Sequence, residues 1–194
     1  MTIRWVVTGS LLVIIHLMLS LESGKFAYGL DPLQKPIIFL VSLEVVAGLC
    51  YLIGIRYPNR DKHIFIWIIL GGLLMRKSMF FSTPMLEDDY YRYLWDGGVV
   101  VSGRNPYLYA PEEIRIGIGV EDGIKQIYRS SPLEVRERIN HPYLRTIYPP
   151  VSQLVFAVAH IIRPWSILGL KIVFLIIDII SLILLYIILR RMEL

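Results

Sequence analysis

Long runs of apolar residues occupy both ends of the chain, and they show neither the alternation of a β-strand nor the single apolar stripe of a surface helix. Several runs approach the roughly 20 residues that a helix needs to cross a hydrocarbon core about 30 Å thick. Polar or proline-containing breaks separate the runs, so the pattern predicts about five transmembrane helices. These cover, approximately, residues 5–21, 36–55, 63–81, 148–162 and 167–189, of which the fourth is only marginally long enough.

A polar segment separates the third apolar run from the fourth. It starts at the helix-breaking sequence Ser82-Thr83-Pro84 and extends to residue 146, a length at which connections are usually functional or disordered. We therefore predict an all-α membrane protein in three parts. They are residues 1–81 with three transmembrane helices, residues 82–146 as a large loop containing interfacial helices, and residues 147–194 with two apolar helices.

Composition supports a lipid environment and excludes several other classes of protein. Hydrophobic residues make up 55% of the chain and the mean hydropathy is +0.57, which is more than a soluble domain of this size usually carries. The net charge of +4 does not predict nucleic-acid binding, because the basic residues gather at the ends of the apolar runs, as membrane-boundary anchors do. A single cysteine, Cys50, excludes a disulfide framework and a cysteine-based zinc site.

Basic residues in the short connections predict how the chain lies in the membrane. Arg56, Arg60 and Lys62 mark the connection between the second and third helices as cytoplasmic. The large loop is then extracytoplasmic, and Arg4 places the N-terminus inside, in agreement. Five spans would put Arg190-Arg191 outside, in conflict with the same bias. Either the fourth run does not cross the membrane, or the chain ends before its natural partner helices, and we favour the second explanation.

The start of the loop combines carboxylates with a predicted helix. A helix over about 88–101 would place Asp89, Arg92 and Asp96 on a charged face opposite an aromatic one, which suits a helix lying in the membrane interface. Two interpretations of the acidic pair are open. Asp88 and Asp89 are either a helix cap, with Arg92 as the i+4 ion-pair partner of Asp88, or two carboxylates whose mutual repulsion leaves one suited to act as a general base.

Basic residues further along the loop are candidate ligands for an anion. Arg104 lies in a Gly-Arg-Asn-Pro turn and is either a solvated surface charge or a phosphate ligand. His141 and Arg145 come just before the chain returns to apolar sequence, where they could neutralise an anionic substrate. A histidine that precedes a proline is more often structural than catalytic, so both roles stay open for His141.

Three motifs follow one another in this part of the chain. They are Leu-Glu-Asp-Asp-Tyr-Tyr-Arg-Tyr-Leu-Trp-Asp-Gly at 86–97, Gly-Arg-Asn-Pro-Tyr at 103–107 and Ile-Tyr-Pro-Pro at 147–150. Together they resemble integral-membrane glycosyltransferases of the GT-C class, and most of all the bacterial mannosyltransferase-like proteins that use polyprenyl-phosphate sugars. The resemblance covers roughly residues 73–189.

The resemblance implies transfer of a sugar, mannose being the one suggested, from a polyprenyl-phosphate donor to an acceptor hydroxyl with inversion at the anomeric carbon. Asp89 would be the general base, with Asp88 as its acidic neighbour. Five further residues are implied to bind the substrate, namely Arg92, Arg104, His141, Arg145 and Tyr148. The four basic residues among them would bind its phosphate. The lipid-linked donor would be the only co-substrate, with no metal and no further cofactor.

The resemblance also implies a location and a set of partners. The chain would lie in the bacterial inner membrane with its loop outside, in contact with membrane lipid and the polyprenyl-phosphate sugar and with no nucleic acid. Enzymes of the class have more helices than the apolar runs found here, so a second chain could supply the missing ones. The alternative is a non-catalytic subunit or inactive remnant that binds a partner or a lipid. A transporter is disfavoured, because no half of the chain is repeated.

Overall fold

The computed structural model describes residues 3–58 and 61–192, except for the side chain of residue 62. Within these ranges the chain is helical and contains no β-strand, which confirms the all-α fold class. Arg60 and the side chain of Lys62, on which the predicted orientation partly depends, lie outside the described residues. The chain forms two compact units, Met1–Glu87 and Asp88–Leu194.

The first unit contains three long apolar helices, α1 (Ile3–Glu22), α2 (Ile37–Arg56) and α3 (Lys62–Phe80). Helix α1 packs against both α2 and α3. The Asp61 side chain accepts a 2.9 Å hydrogen bond from the backbone N–H of His63, and this cap begins α3. Many apolar side chains of the three helices are exposed, as expected for helices that are surrounded by lipid tails.

The second unit surrounds one short central helix. Its helices are α4 (Tyr90–Val101), α5 (Pro111–Ile116), α6 (Asp122–Ser130), α7 (Leu133–Glu137), α8 (Pro150–Ile162) and α9 (Ile167–Arg191). Helix α4 packs mainly against α8 and also contacts α6, α7 and α9. Two units of different construction are therefore present, a set of long apolar helices and a compact core around α4.

Two adjacent glycines allow α4 to pack so closely. A Cβ atom at Gly97 would collide with the carbonyl group of Phe156, and one at Gly98 would collide with the indole ring of Trp165. Without side chains at these positions, the α4 backbone meets α8 directly. On the same side, Tyr93 stacks on Phe156 with ring centroids 4.6 Å apart. The resulting contact fixes α4 against the start of the C-terminal apolar region.

The helix predicted over 88–101 is present as α4, but its surroundings differ from the prediction. Arg92 is 6% exposed and Asp96 is fully buried, while Trp95 on the other face is 2% exposed. The sequence predicted a charged face suited to the membrane interface, whereas in the structure neighbouring elements cover both faces of α4. The buried core of this unit includes Tyr91, Leu94, Trp95, Val99, Ile114, Ile124, Val135, Ile139 and Phe156. Much of the predicted loop is thus a packed structure.

Four helices are long and apolar enough to cross a membrane, and they indicate a membrane-embedded protein. They cover Ile3–Phe26, Ile37–Arg56, His63–Phe80 and Ile167–Arg191. Helix α8, the predicted fourth span, has only 13 residues, so at 1.5 Å per residue it is about 20 Å long. This is shorter than the roughly 30 Å hydrocarbon core. Four helices of spanning length, rather than about five, are present among the described residues.

Candidate functional site

The two carboxylates at the start of α4 lie in different surroundings. Asp88 is 2% exposed, and its Oδ2 atom lies 3.7 Å from Nη2 of Arg138. Asp89 is half-buried and occupies the N-cap position of α4, but its side chain makes no capping hydrogen bond. The helix-cap interpretation therefore does not apply to Asp89, and burial distinguishes the two residues.

Asn140, between α7 and α8, links the two carboxylates. Its Nδ2 atom donates to Oδ1 of Asp88 at 2.5 Å and to Oδ1 of Asp89 at 3.1 Å. An amide NH2 group carries two hydrogens, so it can form both bonds at once, and ionised carboxylates are the best acceptors for them. Asn140 thereby orients both side chains and offsets part of their repulsion.

Arg92 is held inside the unit by two of its three nitrogen atoms. Nε donates to Oδ1 of Asp96 at 3.0 Å, and Nη1 donates to the carbonyl of Leu144 at 3.0 Å. Nη2 is buried and has no hydrogen-bond partner. The i+4 partner of Arg92 is therefore Asp96, and the predicted pairing with Asp88 is wrong. Nη2 of Arg92 is therefore a strong hydrogen-bond donor without an acceptor.

Asp96 is the centre of a buried polar network between α4 and α8. Its Oδ2 atom accepts hydrogen bonds from Oγ1 of Thr146 at 2.5 Å and from Nε2 of Gln153 at 3.0 Å. The Gln153 amide also donates to Oγ1 of Thr146, at 2.9 Å. Burial raises the pKa of the Asp96 carboxyl, whereas the Arg92 charge and these hydrogen bonds act in the opposite direction.

A pocket of about 140 Å³ brings most of the predicted site residues together. Those that line it are Asp89, Arg92, His141, Arg145 and Tyr148. The remaining lining residues are Asn140, Leu144, Thr146 and Ile147. The pocket therefore combines a carboxylate, a buried guanidinium and two further basic side chains with apolar groups, which is the composition expected of a site for an anionic group attached to an apolar one.

The two basic residues at the rim are exposed. His141 has a positive φ of 48°, and its Nδ1 atom lies 3.1 Å from the Tyr143 hydroxyl. Arg145 lies 3.4 Å from Oε1 of Glu113, measured from its Nη2 atom. Both side chains can contribute positive charge to the pocket, but in water such charges act more weakly than a buried guanidinium.

Tyr148 joins the second and third motifs. The Tyr107 hydroxyl donates a 2.6 Å hydrogen bond to the Tyr148 carbonyl, and Asn105 accepts a 2.9 Å bond from the Tyr107 N–H in the preceding turn. The Tyr148 ring meets Tyr93 edge-on, with centroids 5.0 Å apart. Burial raises the pKa of the Tyr148 hydroxyl above its usual value. The second motif thus acts as a support for the pocket wall.

Arg104 is not brought to this pocket. Its Nη1 atom pairs with Oε2 of Glu121 at 2.7 Å, and both side chains are exposed. Together with Tyr109 and Ile124 they line a separate pocket. Asp88 also does not line the pocket of Asp89. Of the seven predicted site residues, the structure therefore brings five together and leaves Asp88 and Arg104 apart.

No family model, curated protein or solved structure matches this chain. The resemblance carried by the three motifs therefore stays a prediction, and the functional argument depends on the geometry of the pocket. Among the described residues, no three His, Cys, Asp or Glu side chains are grouped as metal ligands would be.

Sequence reasoning missed three polar residues that shape the site, and it placed a fourth, Asp96, beside Arg92 without assigning it to the site. Asp96 could have been assigned to it, because it stands four residues after Arg92 on the same helical face. Asn140, Thr146 and Gln153 carry no comparable signal. Each meets α4 only through the folded chain, more than forty positions away in sequence. A single sequence contains no local pattern for such contacts.

Proposed function

We propose that this chain is a membrane glycosyltransferase, or the N-terminal module of one, that uses a polyprenyl-phosphate sugar donor. It would transfer the sugar to an acceptor hydroxyl on the outer face of a bacterial inner membrane. One observation carries the proposal: the Asp89 carboxylate and the buried Arg92 guanidinium, with an unpartnered Nη2 atom, line the same pocket. A base and an anion ligand are the two groups that this transfer requires.

The proposed chemistry is a single displacement. Asp89 takes the proton of the acceptor hydroxyl while the acceptor oxygen forms a bond to the anomeric carbon. The bond between that carbon and the phosphate oxygen breaks, and its electron pair leaves with the polyprenyl phosphate, so the configuration at the anomeric carbon inverts. Arg92 stabilises the negative charge that develops on the phosphate. Arg145 and His141 add positive charge at the rim.

The surroundings of the pocket suit a donor with a lipid tail. Ile147 lines the pocket and is 82% exposed, and the exposed side of α8 continues with Val151, Leu154 and Val158. An isoprenoid chain beside this apolar surface would leave its phosphate near Arg92. Four helices of spanning length support a place in the membrane for the whole chain. Mannose as the sugar, and a second chain that supplies further helices, are parts of the proposal suggested by the resemblance.

Substitution of the proposed base tests the function directly. The full chain is purified with any associated protein and supplied with mannosyl polyprenyl phosphate, and sugar transfer to the acceptor is measured by mass spectrometry. We expect Asp89→Asn to lower kcat by about 10²- to 10⁴-fold, because it removes the general base while preserving size. Asp122→Asn is the matched control, since Asp122 is exposed on α6, forms an ion pair with Lys125 and does not line the pocket.

Two results would contradict the proposal. Unchanged transfer by a folded Asp89→Asn protein would show that this carboxylate is not the base. Absence of transfer by the unaltered protein, with and without its associated proteins and with several sugar donors, would instead favour the non-catalytic membrane subunit.

A further inference from the structure

The buried Arg92 guanidinium has a fixed orientation, which is unusual for a flexible side chain. Its planar fork is held at Nε by Asp96 and at Nη1 by the Leu144 carbonyl, each at 3.0 Å. Rotation of the fork would break at least one of these bonds. Nη2 therefore keeps one direction, although it is buried and lacks a partner. A buried strong donor without a partner costs free energy, and an acceptor would recover it.

Asp96 is held as firmly as the guanidinium that it orients. It accepts three hydrogen bonds, from Nε of Arg92, Oγ1 of Thr146 and Nε2 of Gln153. The Gln153 amide donates to Asp96 and to Thr146 through Nε2, and its own Oε1 atom is buried without a partner. The amide therefore points its donor side at Asp96 even though its acceptor stays unsatisfied.

We infer that Asp96 is a positioning residue, which holds the Arg92 guanidinium ready for the phosphate group of a lipid-linked phosphate ester. Asp96 is fully buried and does not line the pocket, so it acts through Arg92 and does not touch the ligand. The inference depends on the proposed function for the choice of a lipid-linked phosphate, which is a diester in the donor and a monoester in the released product. Nη2 is buried, so contact with a phosphate requires a local rearrangement of the side chains that cover it.

Asp96→Asn is the sharpest substitution for this idea. It preserves shape and replaces a carboxylate that accepts three bonds with an amide that also donates. Depending on the orientation of the amide, its NH2 group then faces either Arg92 or both Thr146 and Gln153, and in either case the Arg92 fork is held less firmly. Gln153→Met is a milder second variant, because it removes one donor to Asp96 and lies outside the pocket. Glu112→Gln is the control, since it removes a carboxylate from an exposed i, i+3 ion pair with Arg115.

A compound that binds but cannot react tests the position of the Arg92 guanidinium separately from sugar transfer. The full chain in detergent is titrated calorimetrically with farnesyl phosphate, inorganic phosphate and farnesol, and folding is followed by circular dichroism and Tm. We expect farnesyl phosphate to bind the unaltered protein, and Asp96→Asn to weaken that binding by about tenfold or more. Gln153→Met should weaken it less, and farnesol binding should not change. Tighter binding of inorganic phosphate than of farnesyl phosphate would exclude a lipid source for the ligand.

Failure of this inference can be distinguished from failure of the proposed function. Asp89→Asn should bind farnesyl phosphate at least as tightly as the unaltered protein, because it removes a negative charge, although its sugar transfer is lost. In the transfer assay, Asp96→Asn should raise KM for the donor and also lower kcat, because Arg92 contacts the phosphate both in the bound donor and as its charge develops, whereas Asp89→Asn should lower kcat without raising KM. If transfer is never detected but the binding pattern holds, only the proposed function fails.

The positioning role of Asp96 is overturned by either of two results. One is that folded Asp96→Asn and Gln153→Met proteins bind farnesyl phosphate as tightly as the unaltered protein. The other is that the unaltered protein binds farnesol and farnesyl phosphate equally. Should Asp96→Asn fail to fold, the Gln153→Met titration decides.

Discussion

Two adjacent residues of the same chemical type have different roles because of their surroundings. Asp88 is buried beside Arg138, whereas Asp89 is half-buried and lines the pocket. Asn140 donates to both carboxylates, so the position of Asp89 depends on a residue from a distant segment. The Asn140 amide donates to both carboxylates, whereas a carboxylate at position 140 would be repelled by them. A substitution at this position tests the difference.

Asn140→Asp should destabilise the second unit at neutral pH, by about 1–3 kcal/mol. The substitution replaces a donor with a negative charge beside two others, without a change in shape. As pH falls, the three carboxylates together take up a proton, which relieves their repulsion, so the loss of stability should shrink. The measurement is Tm as a function of pH, from about 7.5 down to about 4.5. This range covers the titration expected for a carboxyl group that lies close to other carboxylates.

Asn105→Asp serves as the control for this change. The Asn105 side chain accepts a hydrogen bond from the Tyr107 N–H through Oδ1, and an aspartate can accept the same bond. Its Tm should stay close to that of the unaltered protein across the pH range. Equal losses for Asn140→Asp and Asn105→Asp would show that the amide donor is not what matters.

At the scale of single residues, the sequence indicates which side chains line the pocket better than it indicates which partners hold them in place. Asp89, Arg92, His141, Arg145 and Tyr148 all line one pocket, as their grouping around the three motifs predicts. Arg104 does not line this pocket. This was not predictable, because a charged residue next to a glycine turn has the same local sequence whether its partner is a ligand or, as here, an exposed glutamate. Ion-pair partners from distant segments have no signature in a local pattern.

At the scale of elements, the contact between α4 and α8 depends on Gly97. A Cβ atom there would collide with the backbone carbonyl of Phe156, which cannot move aside as a side chain could. We therefore expect Gly97→Ala to separate the two helices and to destabilise the protein by about 1–3 kcal/mol or more. Thermal unfolding in detergent, followed by circular dichroism, measures the change.

Gly48→Ala is the matched substitution, because Gly48 also lies within a helix but a Cβ atom there meets nothing within 4 Å. Alanine favours helix over glycine, so this variant should keep or raise Tm. If both variants unfold at the same temperature, the close approach of α4 to α8 does not stabilise the fold as argued.

Element boundaries follow from the sequence more readily than element surroundings. The helix predicted over 88–101 is α4, at Tyr90–Val101, and the proline pair at 149–150 begins α8. The burial of the charged face of α4 was not predicted, since Arg92 and Asp96 at i, i+4 spacing are equally compatible with a solvated ion pair and with a buried one. What distinguishes them is the cover supplied by Thr146 and Gln153 on other segments, which periodicity does not contain.

At the scale of the whole molecule, the length of α8 favours one of the two explanations for the conflict in the charge pattern. Five spans would place Arg190-Arg191 outside, against the preference of basic residues for the cytoplasmic side. With four spans, formed by α1, α2, α3 and α9, the chain crosses an even number of times. In the proposed orientation, Arg4 and Arg190-Arg191 would then both lie inside, and α4 to α8 would lie on the outer side.

Labelling of single cysteines distinguishes the two topologies. Cys50 is buried in α2 and is first replaced by alanine, and a cysteine is then introduced at Ser130 or at Met192, both of which are exposed. In intact bacterial cells, a membrane-impermeant maleimide should label the Ser130→Cys protein at once and the Met192→Cys protein only after permeabilisation. With five spans, the maleimide would label both introduced cysteines in intact cells, without permeabilisation. Labelling of Ser130→Cys only after permeabilisation would place the pocket of Asp89 and Arg92 on the cytoplasmic side, away from the face on which the proposed transfer occurs.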